Sequence, residues 1–356
     1  MTGEIGNRMQ AGDGALENGG SENGARNLVF ISDGTLSTLR RGAESNAGLL
    51  YRQLLEIGPR PNQQFDYDPG VQGTGLRRWF NAITGMGINL SICQGYSFLA
   101  SRYQPGDRIY LFGYSRGAYA VRSLAGMIGL VGLLRQESAT QRNVRHAFRL
   151  YQRNGDPVTT RQRADFDDRL CHDQVRIEMV GVWDTVRTLG LPYPVVSGFA
   201  QMATEFHDHA LGHHIAHGFH ALAIDEDRGA FAPILWERSA HWEGRLEQAW
   251  FAGVHGDVGG DIGSLVTARP QTNIPLNWML RRAARHGLVL PEDWETRFPE
   301  DPAAPQIGNR SGMARLFLFR QPRVTGGGDG ETIDLSIRDR MAALPDYRPV
   351  GRIEGD

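Results

Sequence analysis

Four apolar runs in the sequence end on residues whose types could do chemistry: Asp33-Gly34-Thr35, Ser115-Arg116-Gly117, Asp184-Thr185 and His255-Gly256-Asp257. Ser115 is the middle of Gly113-Tyr114-Ser115-Arg116-Gly117, a G-x-S-x-G pattern. With an apolar run before it and an amphipathic pattern after it, this serine fits a sharp strand-to-helix turn. Such a turn presents the hydroxyl at the positive end of a helix. A hydroxyl is a poor nucleophile without a base, and the base needs an acid to orient it. Asp184 and His255 follow in the order Ser, Asp, His, each just past an apolar run. The expected constellation is therefore Ser115 as nucleophile, His255 as base and Asp184 as its partner, with Asp33 and Asp257 as reserve acids. The backbone N–H of Arg116, with Gly34 or Thr35, would receive the oxyanion.

These residues need strands to carry them. Leu28-Val29-Phe30-Ile31 is apolar without alternation, as expected of a buried strand in a parallel sheet. Similar runs occur at 108–114, 176–183 and 248–254, with 316–319 as a further candidate. Helical spacing lies between them, at Ile88, Ile92, Tyr96 and Leu99, at Val121, Leu124, Ala125 and Ile128, and from Leu276 to a stop at Gly287. Strands alternating with helices predict an α/β fold, α/β-hydrolase-like, with a mostly parallel sheet and helices on both faces. Residues 1–26 are rich in Gly, Asn, Glu and Ser and are expected to form a disordered tail before one catalytic domain at 27–350. Gly326-Gly327-Gly328 fits a loop within that domain.

Composition removes several function classes. Lys and Arg together number 38 against 40 Asp and Glu, and every one of the 38 is Arg. A net charge of −2 advertises no nucleic-acid partner, and chemistry that needs a catalytic lysine is excluded. Two cysteines, Cys93 and Cys171, make neither a disulfide scaffold nor a zinc ribbon. No secretory signal and no convincing membrane span are read, so a cytoplasmic protein is expected. No P-loop or G-x-G-x-x-G occurs, and no cofactor is expected.

The ordered pieces FISDGT (30–35), YDPGVQGTG (67–75), GYSRGAYAVRSLAGMI (113–128), VGVWDTV (180–186), HALAIDEDR (220–228) and WFAGVHGDVGG (250–260) resemble a known family. It is the α/β-hydrolase catalytic domain of type VI secretion phospholipase effectors. The resemblance runs over about residues 27–348 and includes Leu276-Asn277-Trp278-Met279. It implies a Ser/Asp/His triad at Ser115, Asp184 and His255, hydrolysis of lipid acyl esters, and export with a secretion spike or adaptor as partner. The first motif departs from the family in having Ile31-Ser32 ahead of Asp33. The chain is also expected to lack a large membrane-reaching domain.

Rival readings fare less well. A dehalogenase-type phosphatase would need a nucleophilic Asp where Ile31 stands. His207, His209, His213, His214, His217 and His220 could place metal ligands on one helix face, but without an H-E-x-x-H pattern they read as a polar helix face, and no metal is expected. Residues 189–214 fit either a lid over the pocket or an ordinary pair of surface helices. A catalytically silent binding module and an esterase of small soluble substrates remain the alternatives to lipid hydrolysis.

Overall fold

The apolar run after Arg26 forms β1 (Asn27–Ser32), with all six residues buried. Burial on both faces explains why this strand lacks alternation. The computed structural model describes residues 25–34, 37–70, 86–153, 157–186, 210–308 and 319–353. Around β1 a seven-stranded sheet assembles from β2 (Gln63–Asp68), β3 (Arg108–Tyr114), β4 (Ile177–Trp183), β5 (Ile215–Ala223), β6 (Arg245–Phe251) and β7 (Glu331–Ile333). Its spatial order is β7-β6-β5-β4-β3-β1-β2, and every pairing in it is parallel.

Helices cover both faces. On one, α2 (Met86–Ala100), α3 (Arg116–Val131), α4 (Gln141–Gln152) and α5 (Pro157–Leu170) pack Tyr96, Leu124, Val144 and Phe166 over Leu28, Phe30, Leu111 and Val182. On the other, α1 (Asn46–Ile57) and α7 (Arg269–Arg285) pack Leu50, Leu54, Met279 and Leu280 over Val29, Ile31, Phe112 and Phe219. Each such side chain contributes roughly 1.5–3 kcal/mol by leaving water. Between these groups lies the short α6 (His255–Gly259), and α8 (Leu335–Ala343) follows β7.

The chain steps from β1 to β2 in one direction and from β3 outward to β7 in the other. The order therefore reverses between β1 and β3, and the crevice beyond the carboxyl ends of strands at such a switch point is where open parallel sheets bind ligands. Ser115 follows β3 there, and Asp33-Gly34 follows β1.

Several expectations are corrected. The described part of the histidine-rich segment is not a helix face, while His207 and His209 lie outside the described residues: His217 and His220 lie on β5, in the middle of the sheet between β4 and β6. Pairing with two neighbouring strands overrides the helix-like spacing of the histidines. Phe319 is exposed and belongs to no strand, whereas 316–318 lie outside the described residues. Among the described residues the edges of the sheet are β2 and β7. Arg26, the last residue of the expected tail, is tied to Asp107 at 2.6 Å. Of residues 1–26, 1–24 lie outside the described residues, as do 187–209 of the expected lid. Ala210–Leu211 pairs with Glu237–Arg238 as a two-stranded parallel ribbon.

Candidate active site

The turn after β3 is built around two glycines. A Cβ on Gly113 would lie 2.5 Å from the carbonyl oxygen of Gly117, and one on Gly117 would lie 2.1 Å from that of Ser32. No larger residue fits either position without moving backbone. Between them Ser115 takes φ 57° and ψ −118°, then hands over to α3. Three non-glycine residues have positive φ among the described residues, and two of them are Ser115 and Asp184. Such conformations cost on the order of 1–3 kcal/mol each and persist only where the surroundings impose them. At Ser115 the N–H is tied to the Trp183 carbonyl at 3.1 Å, which locks the turn to the end of β4.

The structure brings Ser115, His255 and Asp184 together. The Ser115 hydroxyl donates to His255 Nε2 at 2.8 Å, and His255 Nδ1 donates to Asp184 Oδ2 at 2.6 Å. His255 opens α6 and is held on three sides. Its backbone N–H donates to Glu226 at 3.1 Å, and the Tyr114 and Phe231 rings pack at 5.0 Å from the imidazole.

Asp184 is fully buried, and its other donors were not legible in the sequence. Arg323 donates through Nη1 to Oδ1 at 2.6 Å and through Nη2 to Oδ2 at 3.0 Å, and the Ala223 N–H adds a contact at 3.1 Å. Burial alone would push this carboxyl up. The Arg323 guanidinium and the His255 hydrogen bond outweigh it and hold Asp184 below the usual carboxylate range. Arg323 lies just before the strand pair of Val324–Thr325 with Arg352–Ile353, and its carbonyl accepts the Arg352 N–H at 2.8 Å. Behind Asp184, His220 accepts the Thr185 N–H at 3.0 Å. Burial pushes that imidazole down to about 3, so it stays neutral and braces the loop.

The remaining acids brace loops. Asp33 accepts from Ser45 at 2.6 Å, Tyr67 at 2.6 Å and the Gly34 N–H at 2.7 Å. That last bond removes Gly34 as an oxyanion donor, because its N–H is directed at the neighbouring carboxylate. Thr35 lies outside the described residues, and Arg116 opens α3. Asp257 accepts the N–H groups of Val254 and Ile307 at 3.0 and 2.8 Å. The Asp225-Glu226-Asp227 run after β5 also carries more of the site than its acidity suggests. Asp225 takes the Gly253 N–H and the Tyr347 hydroxyl, Glu226 takes Arg228 and His255, and Asp227 takes Arg320.

A family model described as the catalytic domain of Tle1-like type VI secretion phospholipase effectors matches residues 26–282. The chain belongs to this family. The match spans Ser115, Asp184 and His255 of this Tle1-like domain, while Arg323 lies beyond it. An uncharacterized protein of Saccharomyces cerevisiae is 28% identical over 248 residues, 63% of this chain and 35% of its own length. A solved structure of an uncharacterized protein from Pseudomonas aeruginosa shares 17% identity at a TM-score of 0.44, over 82% of this chain and 50% of its own. The structure of a Tle1 effector bound to the VgrG spike of the type 6 secretion system shares 17% identity at a TM-score of 0.32, over 68% of this chain and 53% of its own. The Tle1-like domain thus spans about a third of the curated relative and about half of each solved chain. No helix among its described residues is long and apolar enough to cross a membrane.

Proposed function

We propose that this Tle1-like domain is a serine hydrolase that cleaves acyl esters of lipids, phospholipids foremost. The observation that carries the reading is the continuous hydrogen-bond chain from Ser115 through His255 to Asp184, with its hydroxyl on a strained turn at the sheet's switch point. Ser115 attacks the ester carbonyl as His255 Nε2 takes its proton. Asp184 holds the imidazole with Nδ1 protonated and stabilises the imidazolium. The N–H of Arg116 meets the oxyanion. The imidazolium returns the proton to the leaving alcohol. Water, deprotonated by the same nitrogen, then releases the acid from the acyl-serine. Family membership supports lipid esters over other acyl substrates, and it supports delivery through a type VI spike or adaptor.

Two experiments test this. Purified protein is expected to release fatty acid from phospholipid dispersions and from aryl esters of graded chain length, and Ser115→Ala is expected to release none. Activity on none of these esters by wild-type protein would overturn the reading. Delivery is tested by capture of the protein on an immobilised spike, and failure to bind either spike or adaptor would remove that part alone.

A further inference from the structure

At the other end of the sheet, three side chains from three elements point at one another. Glu178 is the second residue of β4, His217 the third of β5, and His286 caps the carboxyl end of α7. Glu178 Oε1 lies 3.6 Å from His217 Nε2 and 3.6 Å from His286 Nδ1. All three atoms fall within 4.8 Å of one another. A separation of 3.6 Å is too long for a hydrogen bond. It is a few tenths above the ~3.4 Å between ligand atoms that sit ~2.0–2.1 Å from one tetrahedral cation.

We infer that Glu178, His217 and His286 bind a divalent transition-metal ion, Zn²⁺ by the nature of the donors, with a fourth position left to water. Two imidazoles and one carboxylate are a common zinc donor set. The three side chains are only 19–22% exposed, so their polar atoms are largely withdrawn from solvent. Among the described residues, His217 Nδ1 is buried without a hydrogen-bond partner.

Arg245 and Arg282 are paired with Glu247, which limits the positive charge the ion would meet. The carboxyl end of the 17-residue α7 contributes the negative end of its dipole. The two imidazoles now lie 3.8 Å apart, tilted by 32°, so ion binding turns the rings to aim both lone pairs at one point. The ion would clip α7 to β4 and β5. It takes no part at Ser115, since six residues of strand, about 20 Å at roughly 3.3 Å each, separate Glu178 from Asp184.

The test is titration of chelator-stripped full-length protein with Zn²⁺ alone, followed by calorimetry, and with Co²⁺, followed by its visible absorption. Wild-type protein is expected to bind one equivalent here and to give the intense d–d bands of a tetrahedral Co²⁺ site. Glu178→Gln and His286→Ala should each weaken Zn²⁺ by more than about 100-fold and lose those bands. Both should keep the far-ultraviolet dichroism of the wild type and its ester hydrolysis. A His213→Ala/His214→Ala variant controls for nearby imidazoles and should bind as wild type does. Wild-type protein that binds no Zn²⁺, or Glu178→Gln and His286→Ala variants that keep wild-type affinity and Co²⁺ spectrum, would overturn the site. Loss of hydrolysis on Ser115→Ala bears on the other end only, so the two readings fail separately.

Discussion

Asp33 and Asp184 are both buried carboxylates just past the ends of parallel strands, one after β1 and one after β4. They differ in what donates to them. Asp33 is surrounded by neutral donors, two hydroxyls and a backbone N–H, and burial raises its pKa despite them. Asp184 meets a guanidinium and an imidazole, and the guanidinium holds it ionised at zero exposure. Hydrogen bonds alone position a loop. A paired cation keeps the carboxylate charged, and only a charged carboxylate can stabilise an imidazolium in a site with so little water.

The contrast is broken most severely at Ser115, the proposed nucleophile, which only Asp184 of the two acids serves through His255. Ser115→Ala is expected to lower kcat by on the order of 10⁶, measured on a soluble aryl ester, with thermal stability close to that of wild type. Next comes the pair of acids. Asp184→Asn is expected to lower kcat by about 10⁴, the cost of the wrong tautomer in well-studied triads. Asp33→Asn should stay within about tenfold, since it changes a brace. Steady-state kinetics of the two side by side decide this, and equal losses would erase the distinction drawn here.

Arg323→Met sharpens it further. Removing one partner of a buried ion pair costs about 3–5 kcal/mol, so denaturant melts should show a marked loss of stability. The charge has a separate signature. Without the guanidinium, the buried Asp184 carboxyl is no longer held below its usual range, and it stays protonated to higher pH. The acid limb of the kcat/KM profile should therefore move upward in Arg323→Met, and a purely structural arginine would leave it in place.

The smallest effect is at Asp257, which burial raises to about 6. A carboxyl with a folded pKa above its unfolded value stays protonated in the native state while the unfolded chain has already ionised. Stability then falls as pH rises from about 4 to about 6, with no further contribution above. Asp257→Asn should lack that decline in a series of thermal melts while keeping most of kcat.

Much of the candidate site was legible because each of the three residues that the structure brings together follows an apolar run, and a buried strand announces its own end. Gly113 and Gly117 marked the turn for the same reason that the packing requires them. What was hidden has physical causes. Gln63–Asp68 has only Phe65 and Tyr67 as apolar residues, since an edge strand needs less burial, so β2 carried no strand signal. His217 and His220 stand three apart and looked helical, yet β5 is set by its neighbours β4 and β6. Arg323 stands four residues past the apolar run 316–319 and meets Asp184 across 139 positions of chain, a contact that only tertiary structure creates. Glu226 was hidden among three consecutive acids, with nothing local to say which one faces the His255 backbone.

One measurement tests the central claim most directly. Wild-type protein is treated with a fluorophosphonate, a reagent that phosphonylates only serines activated by a neighbouring base, and digested for mass spectrometry. A single stoichiometric adduct at Ser115, with ester hydrolysis falling in step with labelling, is the expected result. Hydrolysis that survives complete labelling of Ser115, or an active enzyme that takes up label at some other serine, would contradict it.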